Sequence, residues 1–108
     1  MKTISSYKGD WKFIPITKSS SKVRQYYHII INDSRITIIQ DNDNVLAIGK
    51  MSKNDSEYDN VHIAYRLVSN DANSFQFLIF HDGHAQLTHY GYGIPIRWTT
   101  YGSLQSLC

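Results

Sequence analysis

Several features that commonly indicate a function class are missing from this sequence of 108 residues. Its one cysteine, Cys108, is at the chain end, so an intramolecular disulfide framework and a structural zinc site built on thiolates are both excluded. No stretch has the apolar core of a signal peptide or the length of a membrane span. We therefore expect a cytoplasmic protein that does not enter a membrane, or a secreted one only if a leader has been removed.

A dense basic face of the kind that binds nucleic acid is also missing. The chain has 11 Lys and Arg against 9 Asp and Glu, and the basic residues are scattered. The segment "TKSSSKVRQYY" places Lys18, Lys22 and Arg24 near Tyr26 and Tyr27, which could stack on bases. The simpler interpretation is a solvated loop that leads into a strand, so we do not expect a nucleic-acid partner.

Residue patterns that support catalysis are missing as well. Cys108 is terminal, no serine lies in a strand-to-helix elbow, and the acidic residues lie in or beside loops. Glycine-rich loops that cradle phosphate are also missing. The sequence thus predicts a protein that is not an enzyme and has no cofactor. A small hydrolase or a metal-dependent enzyme remains an open alternative.

Period-two alternation of β-branched and aromatic residues is what the sequence has in abundance. No window sustains the 3.6-residue period of an amphipathic helix, so the chain is predicted to be all-β. Short polar turns between neighbouring strands favour an antiparallel up-and-down meander in a single domain, residues 1–108, that closes as a small barrel or a flattened sandwich. We predict eight strands, near 11–16, 24–31, 34–40, 45–51, 58–69, 74–81, 84–91 and 94–101.

The stretch "FLIFHDGHAQLTHY" holds two of these strands and three of the five histidines. Asp82-Gly83 is a strong signal for a two-residue hairpin turn, and that turn would place His81 opposite His84. The two imidazoles could then share a metal ion, but a zinc site needs three or four ligands and no third one is evident. We therefore predict a hairpin without a metal, and keep His81 and His84 only as weak candidates.

The same two-residue turn predicts which side chains of the hairpin face the interior. Leu78, Phe80 and Leu87 would point inward. The outward side would then carry an apolar, aromatic-rich patch, and patches of this kind usually contact a partner. The predicted partner-binding residues are Phe75, Phe77, Ile79 and Tyr90, joined by Tyr26 and Ile30.

A second hairpin is predicted in "YYHIIINDSRITII", with its turn at Asn32-Asp33. Tyr27, Ile29, Ile31, Ile36 and Ile38 form its predicted core face. The opposite face carries Tyr26, His28, Ile30, Arg35, Thr37 and Ile39. In the strand at 58–69, alternation predicts that His62, Ala64, Arg66 and Val68 point outward and that Val61, Ile63, Tyr65 and Leu67 point inward.

Three short segments resemble the lipocalins and related calycin-like barrels. "YKGDWKF" resembles the Gly-x-Trp signature that opens the first strand of that family, "SNDANSF" resembles its middle turn with Asp71 in the Asp place, and Arg97 in "PIRW" takes the place of the closing arginine. The middle turn departs from the family by having Asn70 and Ala72. The resemblance implies that Trp11 closes one end of a barrel and that Arg97 lies over its ring as a cation–π partner.

Taken together, these patterns favour a non-enzymatic protein-binding module that acts through an aromatic outer face. Its partner would be another protein chain or a second copy of itself. Small size and the missing catalytic residues fit an inhibitor, an immunity protein or an anti-defence protein. The alternative is a lipocalin-like binder of a small apolar ligand, although the bulky inward residues favour a filled interior.

Overall fold

The fold is an all-β barrel of eight strands, as predicted. The computed structural model describes residues 7–18, 25–41, 44–54, 60–69, 73–91 and 96–107. The strands are β1 (Gly9–Lys18), β2 (Tyr27–Asn32), β3 (Arg35–Asp41), β4 (Asn44–Asn54), β5 (Val61–Val68), β6 (Ser74–Phe80), β7 (His84–Tyr90) and β8 (Ile96–Ser106). Among the described residues, no helix has the length and hydrophobicity that crossing a bilayer requires.

The strands follow one another around the barrel in sequence order, and all pairs are antiparallel. Pairing of β1 with β8, for example Phe13 with Leu104, closes the sheet. Every strand of the described sheet therefore has a neighbour on both sides, which satisfies the backbone groups that an edge strand would expose.

The barrel interior is filled by side chains from alternate positions of the strands. In β2, Tyr27, Ile29 and Ile31 are buried, while His28 and Ile30 between them are half-buried on the outside. The buried apolar residues form a single cluster that also contains Phe13, Phe77 and Leu87. Barrels of eight strands are narrow enough to be filled in this way, so the interior of this barrel is a packed core and not an open cavity.

The β2–β3 hairpin has the predicted faces but a turn displaced by one residue. Asn32 pairs with Arg35, so the loop is Asp33-Ser34, and Asp33 adopts a left-handed conformation with φ of 53°. Moving the turn by one residue shifts the pairing of β2 with β3 by two positions. Because side chains alternate with a period of two, inward residues still oppose inward residues. The predicted core face is confirmed, and Arg35 and Thr37 point outward as expected.

The β6–β7 hairpin differs from the prediction in a way that matters more. Its loop contains three residues, His81–Gly83, and the Gly83 amide donates a hydrogen bond of 3.0 Å to the Phe80 carbonyl. Gly83 alone has the left-handed φ, at 89°, which is the glycine position of a three-residue loop. The register consequently pairs Phe77 with Leu87.

This odd displacement reverses the faces of β6 relative to the prediction. Phe75, Phe77 and Ile79 are 4%, 0% and 0% exposed, so their assignment to an outward partner-binding patch is wrong. Leu78 and Phe80, predicted to lie inside, are half-buried on the outer side. Leu87 of β7 is buried as predicted. The additional loop residue, His81, was predicted to end β6, so the start of β7 and its faces do not change.

Candidate functional site

Three residues of the predicted patch still lie on the outer surface. Tyr26 is 50% exposed, and Ile30 and Tyr90 are half-buried. Tyr26 lies just before β2, where the ammonium of Lys12 is 4.5 Å from its ring centroid. Ile30 lies on β2 and Tyr90 lies on β7. These strands are not adjacent, so the register of the strands between them determines which outward side chains lie beside each residue.

An outward row of register partners crosses the barrel from β4 to β8. Ile48 pairs with Val68, Val68 with Ser74, Ser74 with Tyr90 and Tyr90 with Ile96. We call these five residues the outer row. Ile48, Val68 and Ile96 are 58%, 54% and 56% exposed, so three large aliphatic side chains of the row face solvent. Since opposed side chains lie about 5 Å apart at Cβ, the row is a continuous stripe.

A groove of about 470 Å³ follows the middle of the outer row. Val68, Ser74 and Tyr90 line it, with Arg66 and Gln76 along one side. The Tyr90 hydroxyl donates a hydrogen bond of 3.2 Å to Gln76 Oε1, which holds the phenol ring against the groove wall. The outer row is therefore concave at its centre, where Ser74 lies between Val68 and Tyr90, and a partner's side chain can fill this shape.

A second outward row, of three cations, runs beside the outer row. Arg35 pairs with Lys50 and Lys50 pairs with Arg66, and all three are exposed. We call these residues the cation row. It lies two residues along each strand from the row through Thr37, Ile48 and Val68, a distance of about 7 Å. Within the part of the chain that the structure describes, none of the three forms an ion pair.

Gly49 allows the strands that carry both rows to approach closely. It lies between Ile48 and Lys50, and a β-carbon at this position would overlap the backbone carbonyl oxygen of Arg66. A smaller groove, of about 260 Å³, follows this part of the surface between Arg35 and Ile48. The two grooves lie on either side of Ile48 and Val68, so this pair is the ridge of the surface.

The histidines of the β6–β7 turn are not placed as the sequence predicted. His81 and His84 do not pair across the hairpin, because the loop contains three residues. The His84 ring stacks on Tyr101, with centroids 5.5 Å apart, and the His81 ring lies 5.1 Å from that of His62. Within the described ranges, no group of three His, Cys, Asp or Glu side chains is placed to hold a metal ion.

Asp82 stabilises this turn through its carboxylate. Its Oδ1 accepts a hydrogen bond of 2.9 Å from the His84 amide and lies 3.2 Å from His84 Nδ1. The hydrogen bond from the His84 amide is the main reason that the pKa of Asp82 is lowered. Ser103 is the register partner of His84, but no hydrogen bond joins their side chains among the described residues. The contacts of Asp82 and His84 therefore account for the local conformation of the turn.

An open cleft of about 470 Å³ adjoins this turn, lined by Asn60, Phe80, His81, Asp82 and Tyr101. Behind it, Tyr7 is buried against His62, with ring centroids 5.9 Å apart. Burial, and secondarily the charge of Asp82, raises the pKa of Tyr7. Deeper inside the barrel, burial raises the pKa of Tyr65 to about 12. Both phenols thus remain protonated at neutral pH.

Trp11 and Arg97 do not form the predicted cation–π pair. Trp11 donates a hydrogen bond of 2.7 Å to the Tyr7 carbonyl, and its register partner on β8 is Ser106. Arg97 lies at the opposite end of β8, beside Gly91. The nine residue steps from 97 to 106 along β8 span about 30 Å, so the two side chains occupy opposite ends of the barrel. Asp71, of the quoted middle turn, lies outside the described residues.

Sequence reasoning missed Ile48 and Ile96 and did not connect Arg35 with Arg66. Alternation within a strand indicates which side chains point outward, and it placed Arg66 and Val68 correctly. Ala64 of the same strand pairs with Leu78 on the outer side as predicted, although it is only 5% exposed, whereas His62, at the bulge between Val61 and Ile63, is buried against Tyr7. Alternation does not indicate which outward residues are neighbours across strands, because that depends on register and on the bulges in β4.

Comparisons of the chain with protein-family models, with curated proteins and with solved structures find no match. On the outer surface of the barrel, the registers place the outer row and the cation row side by side.

Proposed function

We propose that this chain is a non-enzymatic protein-binding module that binds its partner through the outer row. The observation that carries the proposal is the continuous line of register partners with Ile48, Val68 and Ile96 each more than half exposed. Contiguous apolar surface on a small protein commonly marks an interface. The surface differs from the sequence-based patch, since it keeps Tyr90 and replaces the three β6 residues with aliphatic ones.

The shape of the surface supports the same proposal. Interfaces concentrate binding energy in a few side chains that fill pockets and are shielded from water. The groove beside Tyr90 provides such a pocket, and Arg66 and Gln76 provide a polar rim. An inhibitor, an immunity protein or an anti-defence protein would use a rigid barrel face in this way. A small apolar ligand inside the barrel has less support, because the inward side chains pack against one another.

A paired substitution tests this proposal. Ile48→Ser with Val68→Ser removes the ridge of the outer row, whereas Ile16→Ser with Leu107→Ser removes two aliphatic side chains of similar exposure, 64% and 52%, near the β1–β8 seam. We expect the ridge variant to lose capture of a stoichiometric protein from extracts of the native cells by about tenfold or more. The seam variant should capture it as the original chain does.

Two further measurements complete the test. Sedimentation of the purified chain shows whether the partner is a second copy, in which case the ridge variant should shift a dimer to a monomer. Circular dichroism and thermal melting of both variants show whether they remain folded. Equal capture and equal association state for the ridge variant, the seam variant and the original chain would contradict the proposal.

A further inference from the structure

The cation row is electrostatically unfavourable in the chain alone. Arg35, Lys50 and Arg66 are directly opposed on three adjacent strands, and strand neighbours lie about 4.8 Å apart. Like charges directly opposite one another destabilise a sheet. Within the described ranges no carboxylate is paired with any of them, because the described ion pairs involve Lys8, His28 and His84. An external anion would remove this repulsion.

From this arrangement we infer that the partner contributes an acidic, partly apolar polypeptide segment that covers both rows at once. The inference rests on the proposed function, since it names the chemistry of the partner of the same surface. Carboxylates of the segment pair with the cation row, and its apolar side chains lie on Ile48 and Val68 and enter the groove beside Tyr90. Charge complementarity of this kind contributes chiefly to specificity and to the rate of association.

The composition of the surface favours a polypeptide over a nucleic acid. Sequence-tolerant binding of single strands uses aromatic side chains on which successive bases stack. The exposed members of the outer row are three aliphatic residues and Ser74, and its aromatic residue, Tyr90, is half-buried and hydrogen-bonded to Gln76. The barrel is closed, so the segment does not bind by adding a strand to an edge. Recognition therefore depends on side chains of the outer face.

The test is a selection from a random dodecapeptide display library on the immobilised full chain. Three variants are compared with it: Arg35→Gln/Lys50→Gln/Arg66→Gln, the ridge variant Ile48→Ser/Val68→Ser, and Lys8→Gln/Lys12→Gln as a control for lost positive charge away from the rows. Enriched peptides are synthesised, and their binding is measured by fluorescence anisotropy. Anisotropy with a labelled dodecathymidylate measures nucleic-acid binding in the same buffer.

We expect enriched peptides that combine Asp or Glu with apolar residues and bind more weakly as salt is added. Their affinity should fall about tenfold for the cation-row variant, fall similarly for the ridge variant, and change little for the control. Thermal melting of the cation-row variant should occur at the same temperature as in the original chain or higher, because repulsion is removed.

The other outcomes separate the two proposals. Neutral peptides that depend on the ridge and not on the cation row would overturn the acidic segment and leave the proposed function in place. Peptides that depend on neither row, or no enrichment at all, would overturn both. Tighter binding of the oligonucleotide than of any peptide, lost in the cation-row variant, would replace the polypeptide with a nucleic acid.

Discussion

The β2–β3 and β6–β7 hairpins look alike in sequence and differ in structure. Both have an Asp in the turn between two strands rich in β-branched or aromatic residues. In the β2–β3 hairpin Asp33 itself adopts the left-handed conformation and the loop has two residues, Asp33 and Ser34. In the β6–β7 hairpin Gly83 adopts it, Asp82 does not, and the loop has three residues.

The difference matters because side chains alternate with a period of two along a strand. An even change in register keeps the inward residues of both strands on the same face, and an odd change moves one strand's inward residues to the outside. The turn of the first hairpin is displaced without consequence for Ile29 and Ile38. Because the second loop has a third residue, Phe77 points inward and Leu78 points outward, the reverse of the prediction. Loop length therefore determines the face of β6.

The largest expected effect tests the face of β6 directly. Phe77→Ala should lower the free energy of unfolding by about 3–5 kcal/mol, because a ring that packs edge-on against Phe13 at 5.5 Å leaves a cavity. Leu78→Ala, one residue away and half-buried on the outside, should cost about 1 kcal/mol. Denaturant unfolding monitored by circular dichroism measures both. A larger loss for Leu78→Ala would mean that the hairpin has the two-residue turn after all.

A smaller effect on stability is expected from substituting the residue of each turn that has the left-handed conformation. Gly83→Ala should destabilise the chain by about 1 kcal/mol, because the φ of 89° at this position is costly for a residue with a β-carbon even though space is available. Asp33→Gly should change stability by close to zero. Relief of the left-handed conformation is offset by the entropy of glycine, and the exposed Lys8 ion pair at 3.8 Å contributes little.

Unfolding free energies of the two turn variants, measured side by side, check this expectation. If Asp33→Gly were the more destabilising of the two, the left-handed residue of the first hairpin would be contributing through its side chain. The two hairpins would then differ through side-chain hydrogen bonding instead of backbone conformation.

The smallest effect concerns pH. The His84 amide lowers the pKa of Asp82 below its ordinary value of 3.8, so the folded state favours the charged carboxylate. The resulting stability is present above that ordinary value and is lost as pH falls through the lower, folded pKa. Asp82→Asn should therefore flatten the acid side of the stability profile slightly, with Asp33→Asn as the control for a lost surface charge. Parallel profiles for the original chain and Asp82→Asn would contradict this.

The predicted surface failed for a reason that is specific to particular residues. "HDGH" is compatible with a two-residue turn at Asp82-Gly83 and with a three-residue turn at His81–Gly83, and both use the glycine. The inner face of β6 carries Phe75, Phe77 and Ile79, whereas the outer face carries Ser74 and Gln76 together with Leu78 and Phe80. The polar residues at the start of the strand indicate the observed faces, but the turn assumed at Asp82-Gly83 grouped them with the inward residues and overrode that signal.

The sequence by itself determined the all-β class, the number and order of the strands, and the inward faces of β2, β3 and β7, because alternation and turn residues are local signals. Only the tertiary structure decided the face of β6, the separation of Trp11 from Arg97, and the alignment of Arg35, Lys50 and Arg66 beside Ile48 and Val68. These features depend on the register between strands. Register results from loop lengths, bulges and closure of β1 on β8. Together these depend on interactions between residues that are distant in the chain.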